Sequence, residues 1–368
     1  MMAAIQNFVD ANQFALFSVL KVVVVVFFAL LPMVAYSVMA ERRISAWIQD
    51  RVGPNRVGIP FTKIRLWGLG QPLADGIKSF LKEDFTPAHV RKVYFWLAPA
   101  ITLIPAFLTV AVIPFGSTLG HQKMVIADLD VGILYTFGIV SLGVYGIVLA
   151  GYAANSKYPF LGGIRSSAQM ISYEIAMGLS VIPVFMVVGS LNLSSVINYQ
   201  SGYFLGFLPN WLLFKQPLAF AIFFVAAFAE TNRLPFDLPE SETELVGGYN
   251  TEYSSMKFAL FFMGEYANMI TSSAMMVTLF LGGWTLPWFG LDQPAHSNEI
   301  MVGLLHIGIF VAKMLVLMVI FIWVRWMWPR FRYDQLMDLG WRRFIPLTLA
   351  NILVTACVMF LLFAGKKP

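Results

Sequence analysis

Charge and cysteine are what this 368-residue chain has least of. Only 12% of its residues are Asp, Glu, Lys or Arg, against roughly 25% in soluble domains, which excludes an ordinary soluble domain. The one cysteine, Cys357, is embedded in an apolar run. An iron–sulfur cluster needs several thiolates, so none is assembled from this chain alone. Histidine is nearly as scarce, with His89, His121 and His296 in loops and His306 alone in an apolar run. That leaves no pair for a membrane haem, and His306 reads as a hydrogen-bonded packing residue. The Gly-x-Gly at Gly68 to Gly70 runs into Gln71 and Pro72 with no strand before it, so it fails as a dinucleotide fingerprint. No low-complexity segment or convincing internal repeat is visible, which weighs against a transporter built from inverted repeats.

Apolar residues fill the space: 58% of the chain is hydrophobic and its mean hydropathy is +0.73. A membrane span needs about 20 mostly apolar residues. Eight runs qualify, at 14 to 39, 94 to 114, 131 to 154, 168 to 190, 217 to 235, 255 to 283, 301 to 327 and 345 to 364. The expected fold is an all-α polytopic membrane protein of eight spans, a single membrane domain over 1–368. The first run has only Lys21 ahead of its core and no small-residue cleavage site, so it is expected to anchor the chain and not to be removed.

Orientation follows from Lys and Arg. Between the first two runs lie Arg42, Arg43, Arg51, Arg56, Lys63, Arg65, Lys78, Lys82, Arg91 and Lys92, which predicts a cytoplasmic loop over 40–93. Alternation then puts 155–167, 236–254 and 328–344 on the same side and both termini on the outer, periplasmic side. The opposite loops hold little basic beyond Lys123 and Lys215. This asymmetry accounts for the net charge of +5 without a nucleic-acid partner. Within the first loop, Leu73, Ile77, Phe80 and Leu81 recur at helical spacing, with Asp75, Lys78 and Lys82 towards the other side. That pattern predicts an amphipathic helix at the membrane surface.

The most informative stretch is AETNRLPFDLPESETELVGGYNTEY, residues 229–253. Glu230, Asp237, Glu240, Glu242, Glu244 and Glu252 lie in it beside membrane-length apolar runs, and Glu265 follows inside the next run. A charge in hydrocarbon costs about 3 kcal/mol on insertion scales, so intramembrane acids mark function by default. Glu174, Glu230 and Glu265 are therefore candidates for a proton relay, and Lys313 in the seventh run is a candidate partner for one of them. Pro235 predicts a helix exit at Leu234, with Arg233 at the membrane edge facing Asp237 or Glu240.

At these residues the chain resembles a known family. ETNRLPFDLPESETELVGGYNTEYS, ERRISAWIQDRVGPNRVG from Glu41, QPLADGIKSFLKED from Gln71, GGIRSSAQMISYE from Gly162 and FALFFMGEYANM from Phe258 are similar to the H-subunit family of the proton-pumping NADH:quinone oxidoreductase, respiratory complex I. The resemblance covers essentially the whole chain in the same order. It implies a membrane subunit of a translocase that walls much of a quinone chamber while holding no redox centre. Glu41, Arg42, Arg51 and Asp75 match the family's first chamber loop, and Arg233, Asp237, Glu240, Glu242, Glu244 and Glu252 its acidic loop. Glu174, Glu230 and Glu265 match its proton path.

The resemblance further implies quinone as substrate, with NADH, FMN and iron–sulfur clusters in partner subunits. Those partners are peripheral quinone-site subunits and antiporter-like membrane subunits, in the cell inner membrane and in contact with lipid. It implies no metal and no catalytic residue on this chain. One departure is the stretch IPFTKIRLWGLG between Gly58 and Gln71, longer than the family's usual link and carrying Lys63, Arg65 and Trp67. Two alternatives are a membrane subunit of a hydrogenase or ferredoxin-linked ion pump, which needs no quinone chamber, and a stand-alone transporter or channel, which would move ions by itself.

Overall fold

Every apolar run of the sequence is occupied by helix in the computed structural model, which describes residues 13–58, 65, 67–120, 122–204, 206–239, 247–296 and 299–364. Helix α1 covers 13–48, as Gln13–Val23, a π-helical stretch Val24–Leu30, and Leu31–Ile48. The short α2 is Gln71–Leu81, α3 is Lys92–Leu108, α4 covers Gly132–Ala153 and α5 is Lys157–Val188. Then come α6 (Leu193–Tyr199), α7 (Leu212–Lys215), α8 (Pro217–Glu230), α9 (Ser255–Phe280) and α10 (Ile300–Met327). The last, α11, covers 333–364 with a π-helical stretch at Leu339–Phe344. Two antiparallel hairpins, Thr118–Leu119 with Gln122–Lys123 and Tyr203–Phe204 with Leu208–Pro209, are the strands described.

Among the described residues, six helices are long and apolar enough to cross a membrane: Phe17–Ile48, Lys92–Val112, Gly132–Ala153, Lys157–Val188, Ile300–Met327 and Tyr333–Leu362. The other two are informative for falling outside that set. Helix α9 has 26 residues but carries Lys257 and Glu265. Helix α8 has 14 residues, a rise of about 21 Å against a hydrocarbon thickness of about 30 Å.

Expected to run to Leu234, α8 closes at Glu230. Thr231 turns its hydroxyl back onto the Ala227 carbonyl at 2.9 Å, and Asn232 takes the left-handed conformation at φ 52°. The Arg233 amide then donates to the Phe228 carbonyl. This is a left-handed helix cap with Asn in the place glycine usually takes, and it ends the helix before Pro235 can. Residues 231–239 continue as irregular backbone, buried except for half-buried Leu234. Non-helical chain beside membrane helices is tolerated only where protein or a cavity surrounds it.

Helices α8 and α9 form the interior. Phe228 stacks on Phe321 of α10 at 4.1 Å, and Phe223 and Phe220 meet Phe280 at the far end of α9. Around them the helices approach closely at small residues, as membrane packing favours. A Cβ at Gly146 would fall 2.2 Å from the Thr102 hydroxyl of α3, and one at Gly151 would fall 2.6 Å from the Pro159 carbonyl of α5. The first half of α1 and much of α11 instead point Val19, Phe27, Phe28, Leu353 and Phe360 outward, apolar surface that suits lipid.

Connections between helices gather in two sets. At one end Ser255 bonds the Ser79 and Lys82 carbonyls, Asn155 the His89 carbonyl, and the Phe331 amide the Pro235 carbonyl. At the other, Lys21 reaches the Lys123 carbonyl, Asp128 receives Asn192 and Ser194, and Thr118 and Tyr203 reach Ala295 and Pro287. The exposed apolar residues of α2, Leu73, Ile77, Phe80 and Leu81, lie at the first end.

Candidate functional site

A single carboxylate, Glu41, joins four segments of the chain. It sits near the end of α1, buried at 6% exposure. One of its oxygens accepts from Arg233 at 2.7 Å and from the Tyr266 hydroxyl of α9 at 2.8 Å. Its other oxygen accepts from Arg325 of α10. The Arg233 guanidinium also lies 4.1 Å over the Tyr266 ring, a cation–π contact strengthened by burial. Removing the carboxylate from such a cluster leaves the buried Arg233 guanidinium without its ion-pair partner, which typically costs about 3–5 kcal/mol. Glu41, Arg233 and Arg325 together carry one net positive charge.

The irregular segment after α8 is held from two sides. Gln169 of α5 donates from Nε2 to the carbonyls of Ala229 and Phe236, both at 2.8 Å. Arg330 donates to the main-chain carbonyl of Asp237, whose side chain is buried at 3% exposure. Phe236 stacks between Tyr173 of α5 and Phe331. The loop's path is thus set by neighbours far away in sequence.

Below this segment is a small polar cavity. Thr102, Gly143, Ile147, Met170, Glu230, Thr231, Asn232, Tyr249, Glu265 and Asn268 line it, and about 10 Å³ is open to the centre of a water molecule. That is about the least space that holds one water. One oxygen of Glu230 and the Asn232 carbonyl oxygen are buried with no hydrogen-bond partner among the described residues, the polar lining a buried water requires. Glu265, on α9, accepts from the Tyr249 hydroxyl at 3.2 Å. Glu174 is half-buried on α5, and its charge acts on Glu230. The charge of Glu265 in turn acts on Arg233. Hub and cavity are built on consecutive residues, Asn232 and Glu265 lining the cavity while Arg233 and Tyr266 bond Glu41.

Arg42 and Asp75 meet at 2.8 Å on an exposed face, with Gln71 on the second Asp75 oxygen. Beside them Arg42, Arg51, Arg56 and Arg65 line an open concavity of about 710 Å³. Glu252 is half-buried and 3.8 Å from His89. Glu240, Glu242 and Glu244 lie outside the described residues, as does Lys63.

Two pairings differ from the sequence expectation. Arg233 pairs with Glu41 and not with Asp237, because the early cap of α8 turns it into the bundle, and Glu240, the other expected partner, lies outside the described residues. Lys313 does not pair with a membrane glutamate. Its ammonium donates to the carbonyls of Leu281, Gly283 and Thr285 at 2.7, 3.0 and 2.7 Å and lies 4.5 Å from the Trp211 ring. The carbonyls left open at the end of α9, and its negative dipole end, provide what a carboxylate would have. His306 matches its expectation as a packing residue, 2.7 Å from Ser117 and against Trp284.

The sequence reading missed Tyr249, Tyr266, Arg325 and Gln169. Arg325 closes an apolar run and Tyr266 follows Glu265, so both carried a signal by position. Gln169 and Tyr249 carried none, since their partners are set by tertiary packing.

The same order of motifs recurs in known proteins. The family model described as NADH dehydrogenase matches residues 20–356. The chain is 49% identical to the first H subunit of NADH-quinone oxidoreductase from Geobacter sulfurreducens, across 93% of this chain and 95% of that protein. It is 47% identical to the first H subunit from Cytophaga hutchinsonii, across 92% and 96%, and 47% identical to the H subunit from Flavobacterium psychrophilum, across 93% and 97%. Shared from α1 to α11, this likeness places the chain in the NADH dehydrogenase family, among the H subunits of NADH-quinone oxidoreductase.

Proposed function

We propose that this chain, a membrane subunit of NADH-quinone oxidoreductase, walls part of a quinone chamber at its basic-loop end and links quinone reduction there to proton movement through Glu230 and Glu265. The observation that carries this reading is the adjacency of a buried charge cluster, Glu41 with Arg233 and Arg325, to a cavity lined by two carboxylates. Reducing a quinone to a quinol takes up two electrons and two protons. Negative charge passing through the chamber is attracted by the guanidiniums of the hub, and we assign Arg233, next in sequence to the cavity residue Asn232, the part of passing that change to Glu265. A carboxylate whose charged form is favoured or disfavoured in turn can take and release a proton.

Arg42, Arg51 and Asp75 supply a polar rim, and the exposed apolar face of α2 suits a membrane surface. The chamber is expected to be completed by peripheral subunits that hold NADH, FMN and iron–sulfur clusters, since Cys357 alone supplies too few ligands for a cluster. Antiporter-like membrane subunits are the expected recipients of the coupling. The reading places the complex in the cell inner membrane with eight spans, the basic loops in the cytoplasm and both termini outside.

Glu230→Gln and Glu265→Gln in the native complex test it. Both variants should assemble at normal yield, reduce artificial acceptors through the peripheral arm, and show impaired but measurable quinone-linked proton pumping. Full pumping in both would remove these residues from the path.

A further inference from the structure

Tyr249 stands where the acidic loop meets the glutamate cavity, and the proposed proton path does not use it. Its side chain is wholly buried, at 0% exposure. Among the described residues between 236 and 254 it is the one that lines the cavity. Its ring packs edge-on against Phe261, with centroids 5.2 Å apart and planes at 73°. Tyr253 packs on the same phenyl ring at 4.9 Å and stacks on Phe95 at 4.1 Å, so two aromatic anchors already fix this end of the loop. Packing alone would be met as well by phenylalanine at 249. What the hydroxyl adds is the hydrogen bond to Glu265, 3.2 Å away and 16 positions along the chain.

The backbone around Tyr249 is equally constrained. Its amide donates to the Pro239 carbonyl at 3.3 Å, joining the two sides of the segment 240–246. Gly248 and Tyr249 lie directly against α5, where a Cβ on Gly162 would fall 3.0 Å from the Tyr249 nitrogen and 3.1 Å from Gly248.

We infer that Tyr249 is a positioning residue: its hydroxyl holds the Glu265 carboxylate towards the cavity, in the orientation that proton transfer at Glu265 requires. The inference rests on the proton-path reading of Glu265. No bond is made or broken at Tyr249 itself.

The test uses the intact complex in native membranes and compares wild type, Tyr249→Phe, Glu265→Gln and the double variant. Quinone-linked proton pumping is normalised to artificial-acceptor reduction, which reports the amount of assembled peripheral arm. Tyr249→Phe is expected to lower normalised pumping about tenfold, the lower end for a hydrogen bond to a charged group. In the Glu265→Gln background the same change should lower it no further, because both act through one carboxylate. Singles whose effects multiply, or a Tyr249→Phe complex that is lost in proportion to its activity, would give Tyr249 a packing role and overturn the inference. Wild-type pumping in Tyr249→Phe with impaired Glu265→Gln would overturn it while leaving the proton path standing. Wild-type pumping in Glu265→Gln would overturn both.

Discussion

Arg233 and Glu41 are 192 positions apart in sequence and 2.7 Å apart in the interior, each less than one-tenth exposed. The pair fastens the irregular segment after α8 to the end of α1, while Tyr266 and Arg325 bring in α9 and α10. A guanidinium can bond Glu41 and lie flat on the Tyr266 ring at once. An ammonium has no planar face for the second contact.

Arg233→Lys is accordingly expected to reduce quinone reductase activity at least tenfold while artificial-acceptor reduction continues. Glu41→Gln should be worse for assembly, because it leaves Arg233 and Arg325 facing each other, at a cost of about 3–5 kcal/mol. Complex yield after mild detergent extraction separates the two effects. Equal loss of both activities in Arg233→Lys would point to assembly and not to the chamber.

Lys313→Met should destabilise the outer part of α9 and α10 by about 3 kcal/mol, through three carbonyls left without their donor. Thermal inactivation of the complex measures it. Because Lys313 is not the partner of Glu265, combining Lys313→Met with Glu265→Gln should give additive losses. Rescue of either change by the other would restore the ion pair that the geometry denies.

Two glycine substitutions should differ in sign. Gly151→Ala sets a methyl 2.6 Å from the Pro159 carbonyl and should cost about 1–3 kcal/mol as the α4–α5 contact opens. Gly178→Ala meets nothing within 4 Å and should be neutral or add up to about 1 kcal/mol through helix propensity. Yield and thermal inactivation of both variants check the pair.

Asp128 carries a pH dependence of its own at the end opposite the hub. Burial alone would raise its carboxyl, but hydrogen bonds from Lys123, Asn192 and Ser194 and the charge of Lys123 bring it below the ordinary carboxylate value of 3.8. A depressed folded-state value means the contribution is complete above about pH 3.8 and is lost as pH falls through the lower folded value. Hydrogen exchange at 192–199 should therefore accelerate under strong acid. In Asp128→Asn it should be faster already at neutral pH and less sensitive to acid.

The helices were legible in the sequence because lipid demands long apolar runs. The end of α8 was not legible. Pro235 advertises an exit, yet Thr231 and Asn232 cap the helix first, and a left-handed asparagine leaves no mark on periodicity. Which acids lie near hydrocarbon was visible too, while their partners were not. Lys313 illustrates why: a count of charges in the membrane invites pairing it with a glutamate, but open carbonyls at a helix end carry no formal charge and go uncounted.

That lysine bears on how the chain is made as well as how it stands. Presented alone to the insertion machinery, α10 would enter the bilayer with an ammonium near its middle, at about 3 kcal/mol on insertion scales. The carbonyls that receive it belong to the end of α9 and the turn that follows, the segment synthesised just before. Helices α9 and α10 are thereby suited to enter lipid as a pair, with the turn already folded around the incoming charge.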